Sequence, residues 1–361
     1  MSLFSSPPES LCILRLSAIG DVCNTIAAVQ AIQRHWPQTH IVWITGKLEA
    51  KLLEGIKDIE VIVFDKKSGW REYQKLWQAL KGRKFDALLH MQYAFRASLA
   101  TLGIKATYKL GFDKLRSQDF QSLFTNVKVP SPDSMHVLDG LLAFGHTLGI
   151  QDMTPSWSLT YSDQDKSWAE NQLSSEKRNL VLVPAASKTY KNWTLQGYLA
   201  LIEHVNLQGW QVILAGSPAQ VETDLAAEIE NNTECKLNNQ VGKSSLKQML
   251  ALIDLADLLI APDTGPAHMA NAVNTPVIGL YAHHNPERTG PYQYRQYVVS
   301  AYEDAILVET GKSANELNWR ARVKDKNAMQ RIKPRQVIDM FDTVTKELDL
   351  SNQHSQSINT N

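Results

Sequence analysis

Residues 254–281 read DLADLLIAPDTGPAHMANAVNTPVIGLY. A strongly apolar run ends at Pro262, a short turn carries Asp263, Thr264 and Gly265, and a helix-like stretch leads into a second apolar run, TPVIGLY. A short continuous apolar run bounded by turn residues suits a buried strand, and proline suits the point where it leaves the sheet. The turn spells a helix start. Asp263 or Thr264 can cap free N–H groups, Gly265 lets backbone approach a ligand, and Pro266 is tolerated in the first turn because its missing N–H would have been unpaired anyway. The segment therefore predicts strand, turn, helix, strand, with a helix N-terminus that attracts anions, phosphate above all. An ordinary capped helix of an α/β protein fits the same residues.

Outward from this stretch the same rhythm recurs. LCILRLS (11–17) reads as a strand and NTIAAVQAIQRHW (24–36) as a helix with Ile26, Val29, Ile32 and Trp36 on one face. HIVWIT (40–45), EVIVFD (60–65) and FDALLHMQ (85–92) follow as strands, separated by the helical stretches 49–56 and 68–84. From residue 179 a second series begins: NLVLVPAAS, then a helix over 194–209, the strand WQVILAGS, a helix over 219–230, and 245–256 leading into the opening stretch. Strands alternating with helices predict two doubly wound parallel α/β domains, which bind ligands at the carboxyl ends of their strands. The polar run 161–179 suits a linker or peripheral helix. The expected division is 1–172, 173–349 and a disordered tail, 350–361, almost without apolar residues.

Composition narrows the class. A chain of 361 residues with 43% hydrophobic and 20% charged residues is that of a water-soluble globular protein of about two domains. Its 37 basic and 37 acidic residues give no global field to recruit nucleic acid or membrane, so any such surface must be local. Three cysteines, Cys12, Cys23 and Cys235, lack metal-site spacing and suit a reducing compartment. No apolar run approaches the roughly 20 residues of a membrane span, and no secretory leader is expected. A cytoplasmic protein with no nucleic-acid partner follows.

Four places carry candidate chemistry. Asp21, after Gly20 in LRLSAIGDV, lies where a side chain would project from the first strand's carboxyl end, although it equally suits a helix cap. A single glycine there is no dinucleotide fingerprint. In VPAASKTYKNW the small residues Ala185, Ala186 and Ser187 leave N–H groups accessible, and Lys188 and Lys191 offer point charges for phosphate, or form a solvated basic loop. Glu222 follows the turn Gly216-Ser217-Pro218, where a carboxylate can accept ribose hydroxyls or favour a helix dipole. The turn at Asp263 is the fourth.

Together SAIGDV (17–22), KNW (191–193), AGSPAQVE (215–222) and DTGPAHMANAVNTPVIGLY with NPERTGPY (263–281 and 285–292) resemble glycosyltransferase family 9, the ADP-heptose:lipopolysaccharide heptosyltransferases. FDALLHMQYAFRASLATLGIKATYKLGFD (85–113) is also similar to that family, and the resemblance covers roughly residues 11 to 295. It implies a GT-B architecture: two Rossmann-like domains facing across a cleft, acceptor on the first and donor nucleotide on the second. It implies inversion at the anomeric carbon, no bound metal or other cofactor, and ADP-heptose as the donor. Carried over, Asp21 matches the catalytic base. Ser187 and Lys191 match groups holding the pyrophosphate, and Glu222 the ribose-binding acid. Asp263, Thr264 and Gly265 match the loop meeting donor sugar and phosphates, with His268 one turn further along.

The sequence departs from the family at His283, His284 and Asn285, where a small hydroxyl residue and an acid are usual. Ala186 replaces a second phosphate-binding hydroxyl of some members, and Asn24 a residue that is often histidine or threonine. His283 and His284 read as a local loop pair, since no acid or cysteine lies at metal-ligand spacing beside them.

On the acceptor side, Arg96, Lys105, Lys109, Lys114, Arg116 and Lys128 lie with few acids between them. Arg96, Lys114 and Arg116 are the acceptor candidates. Such a face suits an anionic acceptor such as lipid A with its core oligosaccharide and peripheral contact with the cytoplasmic face of the inner membrane, or is simply solvated. The expected function is transfer of heptose from ADP-heptose to the inner core of lipopolysaccharide. The alternatives are a related transferase using another nucleotide sugar and a non-catalytic nucleotide-sugar-binding relative. An epimerase would need a second acid/base group beside Asp21. Residues 302–331 suggest a loop over the cleft and a helix packing back on the first domain.

Overall fold

The computed structural model describes residues 2–350. The tail expected to be disordered lies, apart from Leu350, outside the described residues. The chain falls into two compact units, Met1–Thr160 and Tyr161–Asn361.

The first unit runs β1 (Ser10–Leu14), α1 (Ile19–His35), β2 (His40–Gly46), α2 (Lys47–Leu53), β3 (Ile59–Phe64), α3 (Trp70–Ala79), β4 (Phe85–His90), α4 (Phe95–Ala100), β5 (Ala106–Phe112), β6 (Val127–Val129) and α5 (Val137–Leu148). Its sheet has the order β3-β2-β1-β4-β5-β6, parallel throughout. Cys12, Leu14, Val42, Ile44 and Leu88 are fully buried in one core cluster, as continuous apolar strands covered on both faces require. The order reverses between β1 and β4, and a doubly wound sheet opens a crevice at such a point.

The second unit runs α6 (Asp163–Glu170), β7 (Asn179–Leu182), α7 (Leu195–Leu207), β8 (Gln211–Leu214), α8 (Gln220–Asn231), β9 (Leu237–Asn239), α9 (Leu246–Leu255), β10 (Leu258–Pro262), α10 (Gly265–Ala272), β11 (Val277–Tyr281), α11 (Pro286–Thr289), β12 (Val298–Ser300), α12 (Tyr302–Thr310) and α13 (Pro334–Glu347). Its parallel sheet, β12-β11-β10-β7-β8-β9, repeats the first topology, with the reversal between β7 and β10.

The compact units divide at a different residue from the expected boundary. The division falls after Thr160 because α6 packs on α9, and Tyr161 Oη donates to Asp254 at 2.5 Å. The last helix, α13, packs on α7 and β12, with Val337, Phe341 and Val344 buried in the second unit's own core. The ring of Phe341 meets Trp210 edge-on at 5.2 Å. Residues 302–331 likewise bury Tyr302, Ile306, Val323 and Met329 in that core.

A packing contact beside the Lys191 turn sets one test. Gly197, in the first turn of α7, lies under the buried Trp193 ring, whose Nε1 donates to the Ile332 carbonyl at 2.9 Å. A Cβ at Gly197 would approach that ring to 2.5 Å. Gly197→Val is expected to destabilise the protein by about 1–3 kcal/mol through overpacking, read as a lower urea midpoint followed by tryptophan fluorescence. An unchanged midpoint would mean that the ring has room to move.

Candidate active site

Both units place their candidate residues at the crevice where strand order reverses. In the first, the chain leaving β1 presents Arg15, and the first turn of α1 presents Asp21. Arg15 is almost fully buried. Its Nη2 lies 2.7 Å from Asp21 Oδ1, and its Nη1 donates to the carbonyl of Met91, which follows β4. The second Asp21 oxygen accepts from the Ala18 N–H at 3.1 Å, so the carboxylate also closes the start of α1. Gln92 Oε1 accepts from the Leu16 and Ser17 N–H groups and fixes the same two loops to each other. His90, buried against Ser98 Oγ at 3.1 Å, is pushed down to about 3 by desolvation and then by the Arg15 and Lys109 charges, so it is neutral beside the guanidinium. Asp21 itself remains 42% exposed at its side chain.

In the second unit the pairing is tighter. Lys191, on the turn after β7, donates from Nζ to Asp263 Oδ2 at 2.7 Å and to the Asp263 carbonyl at 3.3 Å. His284, after β11, donates from Nδ1 to the same carboxylate oxygen at 2.6 Å. Burial alone would raise the Asp263 carboxyl. The His284 hydrogen bond and the Lys191 charge outweigh it and hold the group well below the usual carboxylate range. His283 is held between the Tyr190 carbonyl at 2.8 Å and the Val323 carbonyl at 3.1 Å, which fixes the loop that carries His284.

Thr264 occupies the N-cap position of α10, but neither it nor Asp263 caps the helix as expected. The Asp263 carboxylate is engaged by Lys191 and His284. The Thr264 hydroxyl oxygen is buried with no hydrogen-bond partner, beside Gly265. His268, one turn on, is buried. Ser187 is exposed ahead of the Lys191 turn, where Asn192 Oδ1 accepts from the Ala186 N–H at 2.8 Å. Glu222, at the start of α8, spends both oxygens on Ser217, accepting from its N–H at 2.7 Å and its hydroxyl at 2.5 Å. The structure thus brings Lys191, Asp263, Thr264 and Gly265 together and sets Glu222 in the first turn of α8, bonded to the loop after β8.

Arg96 and Lys114 are exposed, but Arg116 is not part of an exposed basic face. Its guanidinium is buried, donating to the carbonyls of His136 at 3.1 Å and of Ser134. Lys109 in β5 donates to the Thr101 carbonyl, and Lys128 in β6 to the carbonyls of Ser122 and Thr125. Arg15 escaped the sequence reading, although a charge at the end of an apolar strand is a signal. His284 was read as half of a local loop pair, and it instead meets Asp263 from another loop. No group of three or more His, Cys, Asp or Glu able to hold a metal ion occurs among the described residues.

The profile of glycosyltransferase family 9 (heptosyltransferase) matches residues 73–318. The lipopolysaccharide core heptosyltransferase OpsX of Haemophilus influenzae is 45% identical over 338 residues, 94% of this chain and 97% of that protein. Among solved structures, a family 9 glycosyl transferase from Veillonella parvula superposes with a TM-score of 0.77 at 20% identity, covering 96% of this chain and 99% of that one. The E. coli heptosyltransferase WaaC with ADP gives a TM-score of 0.70 at 19% identity, covering 92% and 99%. These two likenesses are of fold, and both folds are the two-sheet α/β arrangement described above.

The Asp263 cluster has a pH signature. A carboxyl depressed on folding contributes stability that is complete above its unfolded value, about 3.9, and lost as pH falls from there toward the folded value. Wild type is therefore expected to lose thermal stability below about pH 4 more steeply than Asp263→Asn, while the variant is less stable at neutral pH because Lys191 loses its partner. Parallel acid slopes in a pH series of melting curves would show that the cluster adds nothing to folding.

Proposed function

Because the chain belongs to glycosyltransferase family 9, we propose that it transfers heptose from ADP-heptose to the inner core of lipopolysaccharide. The observation that carries this reading is the 45% identity, over nearly the whole of both chains, with a lipopolysaccharide core heptosyltransferase. The second unit is proposed to bind the donor and the first the lipid-linked acceptor, at the cytoplasmic face of the membrane that holds that lipid.

In this mechanism an acceptor hydroxyl attacks the anomeric carbon of the heptose from the face opposite ADP. The new C–O bond forms as the bond to the ADP phosphate oxygen breaks, which inverts the centre. Asp21 takes the hydroxyl proton. A carboxylate is a weak base for an alcohol, and it suffices when the proton moves late, while the nucleophile is already bonding. Arg15 and the Ala18 N–H hold the carboxylate in one orientation, and its exposure leaves it open to an acceptor.

ADP leaves with growing negative charge on its pyrophosphate. Lys191, Ser187 and the free N–H groups of α10 beside Thr264 and Gly265 are the groups proposed to meet it. With a cation and a helix N-terminus at that point, the reading calls on no metal. Asp263 keeps Lys191 aimed, His268 is assigned the sugar end, and Glu222 the ribose hydroxyls through lone pairs left by Ser217. A second reading, another nucleotide sugar as donor, is favoured by one observation: His284 occupies Asp263 where the family usually has a small hydroxyl residue.

Calorimetric titration with ADP, UDP, GDP and CDP in chelator tests the donor. ADP is expected to bind selectively and to lose about 10²–10³ in affinity in Lys191→Ala; preference for another nucleotide would overturn the heptose assignment. With heptose-deficient lipopolysaccharide as acceptor, Asp21→Asn is expected to lower transfer about 10²–10⁴-fold with ADP affinity unchanged. A variant that still transfers at the wild-type rate would remove Asp21 as the base.

A further inference from the structure

The first unit presents large apolar side chains to solvent between residues 70 and 123. Trp70, Phe95, Leu102, Leu115, Phe120 and Leu123 are all exposed, Leu115 by 74%, Phe120 by 71% and Leu123 by 78%. Ring contacts and hydrogen bonds join the elements that carry most of them. The Trp70 ring lies 5.4 Å from both Tyr73 and Trp77. Tyr73 Oη donates to the Arg96 carbonyl at 3.2 Å and Trp77 Nε1 to the Ala100 carbonyl at 3.0 Å, which sets α3 against α4. The Phe95 N–H donates to Asp119 Oδ2 at 3.3 Å, and the Phe95 ring meets Phe124 at 6.2 Å, which sets α4 against the loop carrying Phe120 and Leu123. Asp119 and Phe120 have φ of 49° and 59°, a left-handed conformation that bulky residues rarely adopt. Strain of this kind persists where the surroundings impose it and clusters at working surfaces; here the aromatic ring it carries stands in water.

The charge of the same region is one-sided. Between residues 66 and 128 stand 13 lysines and arginines against four acids, in a chain that balances at 37 and 37. The exposed bases sit beside the exposed apolar groups: Lys67 and Arg71 flank Trp70, Arg96 follows Phe95 and Lys114 precedes Leu115. Apolar patches rimmed by polar groups mark interaction surfaces. A second copy of this chain would oppose two positive faces. A surface of anionic headgroups over an apolar interior instead satisfies both features, taking the rings and leucines at the acyl boundary and the cations at the phosphates.

We propose that this apolar and basic face of the first unit docks on an anionic lipid bilayer. It rests on the lipid-linked acceptor proposed above and adds the surface by which the protein reaches it. Of the bases counted above, Arg116 takes no part, since its guanidinium is buried against the His136 and Ser134 carbonyls.

Co-sedimentation of the full chain with phosphatidylcholine vesicles, with and without phosphatidylglycerol, tests this. Binding is expected only to the anionic vesicles and to weaken as salt screens the headgroups. The double substitution Phe120→Ser with Leu123→Ser is expected to weaken it about tenfold, with melting temperature and ADP affinity unchanged. Lys67→Glu with Arg71→Glu gives an independent loss of at least similar size. Equal binding to neutral vesicles, no binding to anionic ones, or full binding by the Phe120/Leu123 variant would overturn the proposal. So would a dimer, seen by light scattering, that this variant dissolves. Neither donor nor acceptor is present, so failure here is distinguishable from failure of heptose transfer.

Discussion

A strand buried on both faces of a parallel sheet can carry polar chemistry only where it ends, because a charge within it would be stripped of water with nothing to replace it. Asp263 stands at such an end, immediately after β10, and the local structure of the second unit follows from how its charge is met. Lys191 arrives from the turn after β7 and His284 from the loop after β11, so one carboxylate oxygen ties together the loops of three neighbouring strands. Removing either partner would leave a mostly buried charge half-compensated, a costly change wherever it occurs. The pair is also a reservoir of charge placed where α10 begins. A phosphate that enters there meets a lysine already aimed, and the ordering has been met by the fold rather than by the ligand.

The first unit solves the same problem with a different outcome. Arg15 and Asp21 occupy the corresponding reversal, between β1 and β4, and the guanidinium again bridges two strand-end loops. The difference lies in solvent. The Asp263 side chain is 15% exposed and Asp21 42%. An acid held by two donors on one oxygen and kept well below the usual carboxylate range stays ionised and is a poor proton acceptor at neutral pH. An acid reached by water can take a proton from an alcohol as the bond to carbon forms. Two copies of one topology thereby supply a fixed anion beside a cation in one unit and an accessible carboxylate in the other, which is the division of labour proposed for donor and acceptor.

The fold could be read from the sequence because buried parallel strands leave an unmistakable pattern, apolar runs alternating with helical periods, and the turn at Asp263 repeats the local rule in miniature. The candidate site was legible where the chemistry is local: Asp21 beside Gly20, Lys191 among small residues, Gly265 at a helix start. It was not legible where a side chain is defined by a partner far along the chain. Nothing near His284 announces Asp263, and nothing near Arg116 announces the carbonyls of Ser134 and His136 that turn it from a surface charge into an internal strut. Caps failed for the same reason. Asp263 has the right identity to close α10, yet a lysine and a histidine from two other loops outbid the helix for its carboxylate. The compact second unit takes in α6 because a polar segment can still be pinned by packing on α9 and by a hydrogen bond such as Tyr161 to Asp254.

Whole-chain charge hides a distinction that the structure makes visible. A balanced total says that no long-range field acts on a distant partner, and it says nothing of a face where bases collect. The excess between 66 and 128 means that the remainder of the chain is net acidic, although the total balances. Near an anionic surface the basic face is drawn inward even though the chain carries no net charge. Screening limits this to about 8 Å at physiological ionic strength, which makes it an orienting effect at contact rather than a means of recruitment. Hold must then come from the apolar groups, and Trp70, Phe120 and Leu123 are the ones that stand clear of the surface to provide it. Orientation by charge and retention by apolar contact are separable, and a protein that works repeatedly on lipid-linked acceptors gains from a grip that is reversible.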